Sequence, residues 1–286
     1  MKLTLCFLLL CAVLYAVATN NSSRTKDETL RAPAVDGING FSLEQLLTKL
    51  DQIEHKLMEL HPDYQKTTTT PKPKLPPFTS CRDEPSKVSG VYLIRANNDS
   101  APFNAYCEQE KYDGGWIVVQ HRFNGSVDFY RNWDEYRNGF GELDGEFWLG
   151  LERIHQLTTA RKHELIVEIR DFKGKYQYIR YSAFQIGGES EAYEVKSLGS
   201  FRGTAGDGMA YSRGEKFSTK DRDNGPRTDR HYAELFEGAC WYSYFGSASN
   251  LNGRYQHDDP EKSIWWIYSK RDQRRIKYTR MMIREV

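Results

Sequence analysis

An α+β domain built on an antiparallel sheet is the fold class that the sequence predicts for residues 81–286, on three observations. First, the segments 116–123, 163–172, 175–184 and 276–286 are rich in β-branched and aromatic residues and partly alternate, as half-buried strands do. Second, RNWDEYRNGFG (131–141) and GLERIHQLT (150–158) carry helical spacing and stop at Gly139 and at the Thr158–Thr159 pair. Third, strands outnumber helices without the strand–helix alternation of a parallel sheet. Aromatic residues make up 13% of the chain, enough for one sizeable core. Residues 199–262 are rich in Gly, Ser, Asn and Asp with no sustained period, which predicts long loops held by a scaffold.

From the N-terminus, residues 1–18 read as a secretory signal: Lys2, an apolar stretch from Leu3 to Val17, and the small-residue pattern Ala16-Val17-Ala18. That stretch is shorter than the ~20 residues needed to span a bilayer, so a soluble, secreted and extracellular chain without a membrane span is expected. Residues 19–40 form a flexible segment. Residues 41–61 predict a short coiled-coil helix. Ser42 and Gln45 make a capping box, and Leu43, Leu46, Leu50, Ile53, Leu57 and Leu60 recur at alternating spacings of three and four. In that register Lys49 and Glu54 pair between parallel chains, and a homo-oligomer is expected; packing of the helix on its own domain is the alternative. Residues 62–80 contain five prolines and a four-Thr run, an extended linker suited to O-glycosylation. In a secreted chain Asn20, Asn21, Asn98 and Asn124 are N-glycosylation acceptors.

Cys6 and Cys11 leave with the signal, and three cysteines remain. Cys81 and Cys107 frame a short loop and form the expected disulfide. Cys240 is either a buried inert thiol or a bridge between chains. A net charge of +1 speaks against nucleic-acid binding through bulk positive charge, and a mean hydropathy of −0.71 excludes a polytopic membrane protein. The seven histidines show no metal-ligand spacing, and no nucleophile elbow, phosphate loop or dinucleotide fingerprint is present, so no enzyme is expected. The cluster Lys270, Arg271, Arg274, Arg275 and Lys277 reads as a solvated strand edge, with a patch that docks sulfated or phosphorylated glycans as the alternative.

The runs YDGGW (112–116), GSVDF (125–129), NGFG (138–141), GEFWLGL (145–151), GTAGD (203–207), KFSTKDRDN (216–224) and SNLNGRY (249–255) resemble, in order, the fibrinogen-related C-terminal domain. With the signal, short coiled coil and Thr/Pro linker, the chain resembles an invertebrate fibrinogen-related protein of the ficolin and tachylectin type. The resemblance implies a small disulfide-linked N-terminal part, a central twisted antiparallel sheet, and a loop-rich C-terminal part carrying calcium and ligand sites. It implies a non-enzymatic recognition protein, a lectin-like binder of microbial or host glycans in innate immunity whose oligomerisation multiplies weak sites. The alternative is an extracellular signalling or matrix protein that binds protein partners through the same domain.

By the same resemblance, calcium falls to Asp221, Asp223, Gly225 and Asp229, where Gly225 stands in place of a carboxylate and weakens the site. The ligand pocket falls to Phe245, Gly246, Asn250, Tyr255, Pro260, Glu261, Trp266 and Asp272. Three of its features are changed. The family's second disulfide is replaced by Tyr232 and Phe245, expected to pack where the bridge was, and its Cys-His pair by Phe245-Gly246. Pro260, Glu261 and Asp272 stand where an aromatic wall is usual, and carboxylates are poor company for an acetyl methyl. Binding of N-acetyl sugars in the ficolin manner is therefore not expected.

Overall fold

A computed structural model describes residues 77–267 and 273–286, together with Lys49, Gln52 and Lys56, which are helical and exposed. The rest of the expected helix over 41–61, the signal, the flexible segment, Asn20, Asn21, Asp272 and most of the linker lie outside the described residues.

The unit Pro73–Val286 opens with Phe78, whose N–H donates to Leu93 O (2.9 Å) and whose carbonyl accepts from Arg95 N (2.8 Å). Composition assigns Phe78 to the linker, yet its backbone already joins the sheet edge. The strands are β1 (Gly90–Ile94), β2 (Phe103–Glu108) and β3 (Trp116–Arg122). After them come helix α1 (Trp133–Asn138), the short pair β4 (Phe140–Gly141) and β5 (Phe147–Trp148), and helix α2 (Leu151–Ala160). The long strands β6 (His163–Asp171) and β7 (Tyr176–Ile186) lead to β8 (Val195–Leu198) and β9 (Phe201–Gly203). The loop-rich part holds β10 (Phe217–Ser218), α3 (Tyr232–Leu235), β11 (Cys240–Trp241), β12 (Ser249–Asn250) and β13 (Trp265–Ile267), and the chain ends in β14 (Gln273–Glu285). The main sheet runs β1-β2-β3-β14-β6-β7-β8, with every strand pair antiparallel. This is the α+β architecture expected. The C-terminal strand sits at its centre, between β3 and β6.

Sequence chemistry explains the joints. Glu135 accepts from Asn132 N (3.0 Å), one half of a capping box that starts α1. Gly139 ends it at φ +91°, where a Cβ would lie 2.4 Å from Leu149 O, so only glycine fits. Glu146 is buried and accepts from Phe123, Asn124, Gly125 and Val127 N–H at 2.6–3.1 Å, which shapes the loop presenting the exposed Asn124. Burial opposes ionisation of Glu146, but those donors hold its carboxyl below the usual range. Asn98, the other described acceptor, is exposed on the β1–β2 turn.

The core is aromatic where the sheet meets the loop-rich part. Phe217 stacks on Trp148 (6.0 Å between ring centres) and meets Tyr136 (5.3 Å) and Trp241 (5.0 Å). Polar chemistry is buried too. Arg280 of β14 forks between Glu168 of β6 (2.6 Å) and Glu108 of β2 (2.7 Å), with Lys111 and the Tyr176 hydroxyl also on Glu168. One register further along β14, Arg284 pairs with Glu164 (2.9 Å), which Arg180 shares. Cys81 and Cys107, both fully buried, are disulfide-bonded and join the start of the domain to β2.

Candidate functional site

The loops between β10 and β13 carry the residues singled out for metal and ligand, and they are positioned from below by the β10–β11 ladder, Phe217 opposite Trp241 and Ser218 opposite Cys240. Asn224 is anchored there, its side chain donating to Phe217 O (2.7 Å) and its N–H to Ser218 Oγ (2.9 Å).

The side chains expected to hold calcium are engaged otherwise. Asp221 Oδ1 accepts from Trp133 N (2.9 Å) at the start of α1 and from Thr219 Oγ1 (2.7 Å). Asp223 Oδ1 accepts from Gly225 N (3.0 Å) in a local turn. Asp229 does not stand in for the missing carboxylate: it pairs with Arg227 (Nε to Oδ1 2.8 Å), whose guanidinium holds the Asp229 carboxyl below its ordinary range. Lys220, Arg222, Arg227 and Arg230 outnumber the three aspartates of the stretch. Among the described residues no three His, Cys, Asp or Glu side chains group to hold a metal. This donor set does not fit an ion that wants six to eight oxygens and anionic charge. Replacing EDTA by about 1 mM calcium is thus expected to leave the thermal midpoint unchanged, whereas a site filled at about 100-fold over its Kd would add about 2.7 kcal/mol. A calcium-dependent rise in scanning calorimetry would overturn that expectation.

The expected pocket residues come together only in part: Asn250 Nδ2 reaches Glu261 O (3.5 Å), and the Ser249–Asn250 strand pairs with Trp265–Trp266. Asn250 is completely buried and structural, donating to Phe236 O (3.0 Å) and Ser263 O (3.2 Å), because three loop backbones converge on it. Trp266, 3% exposed, donates to Gly206 O (2.9 Å) with Gly208 against its ring. Tyr255 reaches the opposite way, its hydroxyl on Phe123 O (2.9 Å) and its ring beside Phe172. Pro260 and Glu261 lie on an exposed turn, and the Glu261 carbonyl receives Trp265 Nε1 (2.8 Å). Asn250 and Trp266 are thus corrected from pocket lining to loop supports.

The two residues standing for the second disulfide also part company. Tyr232 is buried, stacks on Phe236 (5.6 Å, 13°) and donates its hydroxyl to Tyr244 O (3.1 Å). Phe245 does not pack with it. The chain reverses over Tyr244-Phe245 in a tight turn closed by Ser243 N to Gly246 O (2.7 Å) and Gly246 N to Ser243 O (3.0 Å). Gly246 takes φ +93° with its Cα against the Tyr232 and Phe236 rings, where a side chain would be both strained and crowded. The turn thrusts Phe245 out, 79% exposed, beside Tyr244, 54% exposed, with the rings edge to face at 5.3 Å. Arg227 lies 5.1 Å from the Tyr244 ring. Phe245 was expected in a ligand pocket, but Tyr244 and the outward turn that exposes both rings were not; a two-residue turn before a glycine is their sequence signal.

Cys240 is a free thiol packed against the apolar clusters on either side of it, 3.8 Å from Ser247 Oγ. Burial pushes its pKa up to about 11, so it stays protonated at neutral pH and is a poor nucleophile.

Comparison with known proteins places these features in context. Residues 79–286 match the family described as fibrinogen beta and gamma chains, C-terminal globular domain. Human angiopoietin-related protein 1 is 36% identical over 240 residues, which cover 79% of this chain and 48% of the relative. Human fibrinogen C domain-containing protein 1 is 40% identical over 211 residues, 69% of this chain and 44% of the relative. Among solved structures, the fibrinogen-like globe domain of human ANGPTL2 superposes with a TM-score of 0.68 at 34% identity, covering 73% of this chain and 99% of that one. The chain spans about half the length of the curated relatives it matches. The expectation of an innate-immunity lectin is overturned by these relatives, which include rat angiopoietin-2 and chicken tenascin-R.

Proposed function

The chain belongs to the family of fibrinogen β and γ C-terminal globular domains, and from that premise we propose that it is an extracellular signalling or matrix protein that engages a protein partner through the Tyr244–Phe245 tip. It is not an enzyme. No helix among the described residues is long and apolar enough to cross a membrane.

One observation carries this reading: a phenylalanine ring held 79% exposed by a turn whose base is packed on the buried Tyr232 and the half-buried Phe236. Solvent-facing aromatics on a braced support lose little entropy on docking and are typical anchors of protein interfaces. The kinship with proteins named angiopoietin-related supports the choice of a protein partner over a sugar. The signal and the heptads at 41–60 complete the proposal: secreted chains associate, and linked tips gain avidity of about 10²–10⁴ over single ones.

The test is binding of the purified full chain to cells of its source tissue, before and after protease shaving of the surface and, in parallel, glycosidase treatment. Protease is expected to abolish binding and glycosidase to spare it. Phe245→Ala is expected to weaken the interaction by about 2 kcal/mol, roughly 30-fold, with no change in thermal midpoint. Binding that survives protease, or that Phe245→Ala leaves unaltered, would refute the reading.

A further inference from the structure

A second recessed surface lies away from the tip, where the β1–β2 hairpin, the α1–β4 connection and the start of α2 converge. This cleft encloses about 510 Å³, within the roughly 300–1,000 Å³ usual for small-ligand sites. Leu93 and Phe103 from the hairpin, Phe140 from β4 and Leu143 beyond it supply apolar patches in a mostly polar lining, with Asn104, Asn138 and, from α2, Arg153 in the same space.

Arg153 is anomalous. Its Nη1 donates to Leu149 O (3.0 Å), and its guanidinium lies 5.4 Å from the Phe103 ring centre. No carboxylate among the described residues pairs with it, in contrast to Arg280 and Arg284, which are each matched to buried glutamates. Partial burial lowers its pKa, and no acidic neighbour raises it again. A guanidinium has five N–H donors in a planar fork that matches a carboxylate, and the Leu149 carbonyl engages one of its nitrogens.

We propose that this cleft binds a carboxylate carried on an apolar or aromatic body, the carboxylate on the Arg153 fork and the body against Phe103, Phe140 and Leu143. Charge complementarity selects the anion, and the Phe103 and Phe140 rings offer its body apolar contact. The site is separate from the Tyr244–Phe245 tip and stands or falls without it.

Calorimetric titration of the full chain with phenylbutyrate and with its neutral counterpart phenylbutanol tests this. The acid is expected to bind about tenfold more tightly than the alcohol, since hydrogen bonds to charged groups are the stronger ones. Arg153→Met keeps the apolar stem and should bring the acid down to the alcohol. Should Arg153→Met fail to fold, Arg153→Lys, which keeps the charge without the fork, is expected to lose at least about threefold in acid affinity. A capped Phe-Glu-Phe peptide forms the third arm: tighter binding than phenylbutyrate assigns the carboxylate to a partner's acidic side chain, weaker binding to a free acid. Equal binding of acid and alcohol, no binding of either below about 10 mM, or an acid preference that survives Arg153→Met would overturn the proposal.

Discussion

Replacing Arg280 by alanine is expected to destabilise the domain by about 3–5 kcal/mol, the largest effect of any single charge removal considered. Its guanidinium links Glu108 and Glu168, at 2.7 and 2.6 Å, and all three side chains are buried. Without it two carboxylates remain in a low-dielectric site with Lys111, which is half exposed, as the nearest counter-charge. Urea unfolding of the full chain, followed by Trp fluorescence, reads this directly. A loss below about 1 kcal/mol would mean that water enters and screens the pair, as at exposed bridges.

The same network sets the acid limit of stability. Burial opposes ionisation of Glu168, but Arg280, the Tyr176 hydroxyl and Lys111 outweigh it and hold its carboxyl below the ordinary range. For Glu108 burial is likewise outweighed, by the N–H groups of Glu110 and Lys111 and by Arg280. A carboxyl whose folded pKa is depressed contributes stability that is present above the unfolded value of about 4.3 and is lost as pH falls through the folded one. Stability of the wild type should therefore fall steeply below about pH 4.3, and Glu168→Gln should flatten that slope while lowering the plateau at neutral pH.

What was legible in the sequence follows element length. β3, β6, β7 and β14 run 7, 9, 11 and 13 residues; β7 alternates whereas β3 and β6 are buried almost throughout, so their segments are recognisable from β-branched and aromatic residue types rather than from alternation. The two-residue strands β4, β5, β10, β11 and β12 have no period to read and exist only because tertiary contacts hold them. The insertion of β14 between β3 and β6 is equally invisible, since Thr279 meets Gln120 across a separation of 159 residues.

The site was less legible than the fold for a related reason. A family pattern transfers residue types, whereas function depends on which way each side chain faces. Asn250 keeps the expected identity and uses it on backbone carbonyls; Phe245, expected within a pocket, points outward. A missing carboxylate is predictable from charge alone, as at Gly225. Exposure of a turn residue is not, because it depends on Tyr232, Phe236 and Gly246 packing beneath it.

Removing the Cys81–Cys107 bridge, by Ala at both positions, is expected to cost about 3.5 kcal/mol, the chain-entropy value for a sequence separation of 26. The bridge lies near the edge of the sheet, and among the described residues β1 pairs with β2 and with Phe78 alone. Loss should therefore be local before it is global: amide exchange in β1 and β2 should quicken by orders of magnitude while β6 and β14, at the sheet centre, keep the protection of the intact core. This also bears on the cleft, because Leu93 and Phe103 are supplied by that hairpin, so phenylbutyrate affinity should drop together with β1–β2 protection. Binding at the Tyr244–Phe245 tip rests on Tyr232 and Phe236 and should persist. Uniform loss of protection across all strands would show instead that the edge and the centre of the sheet unfold as one unit.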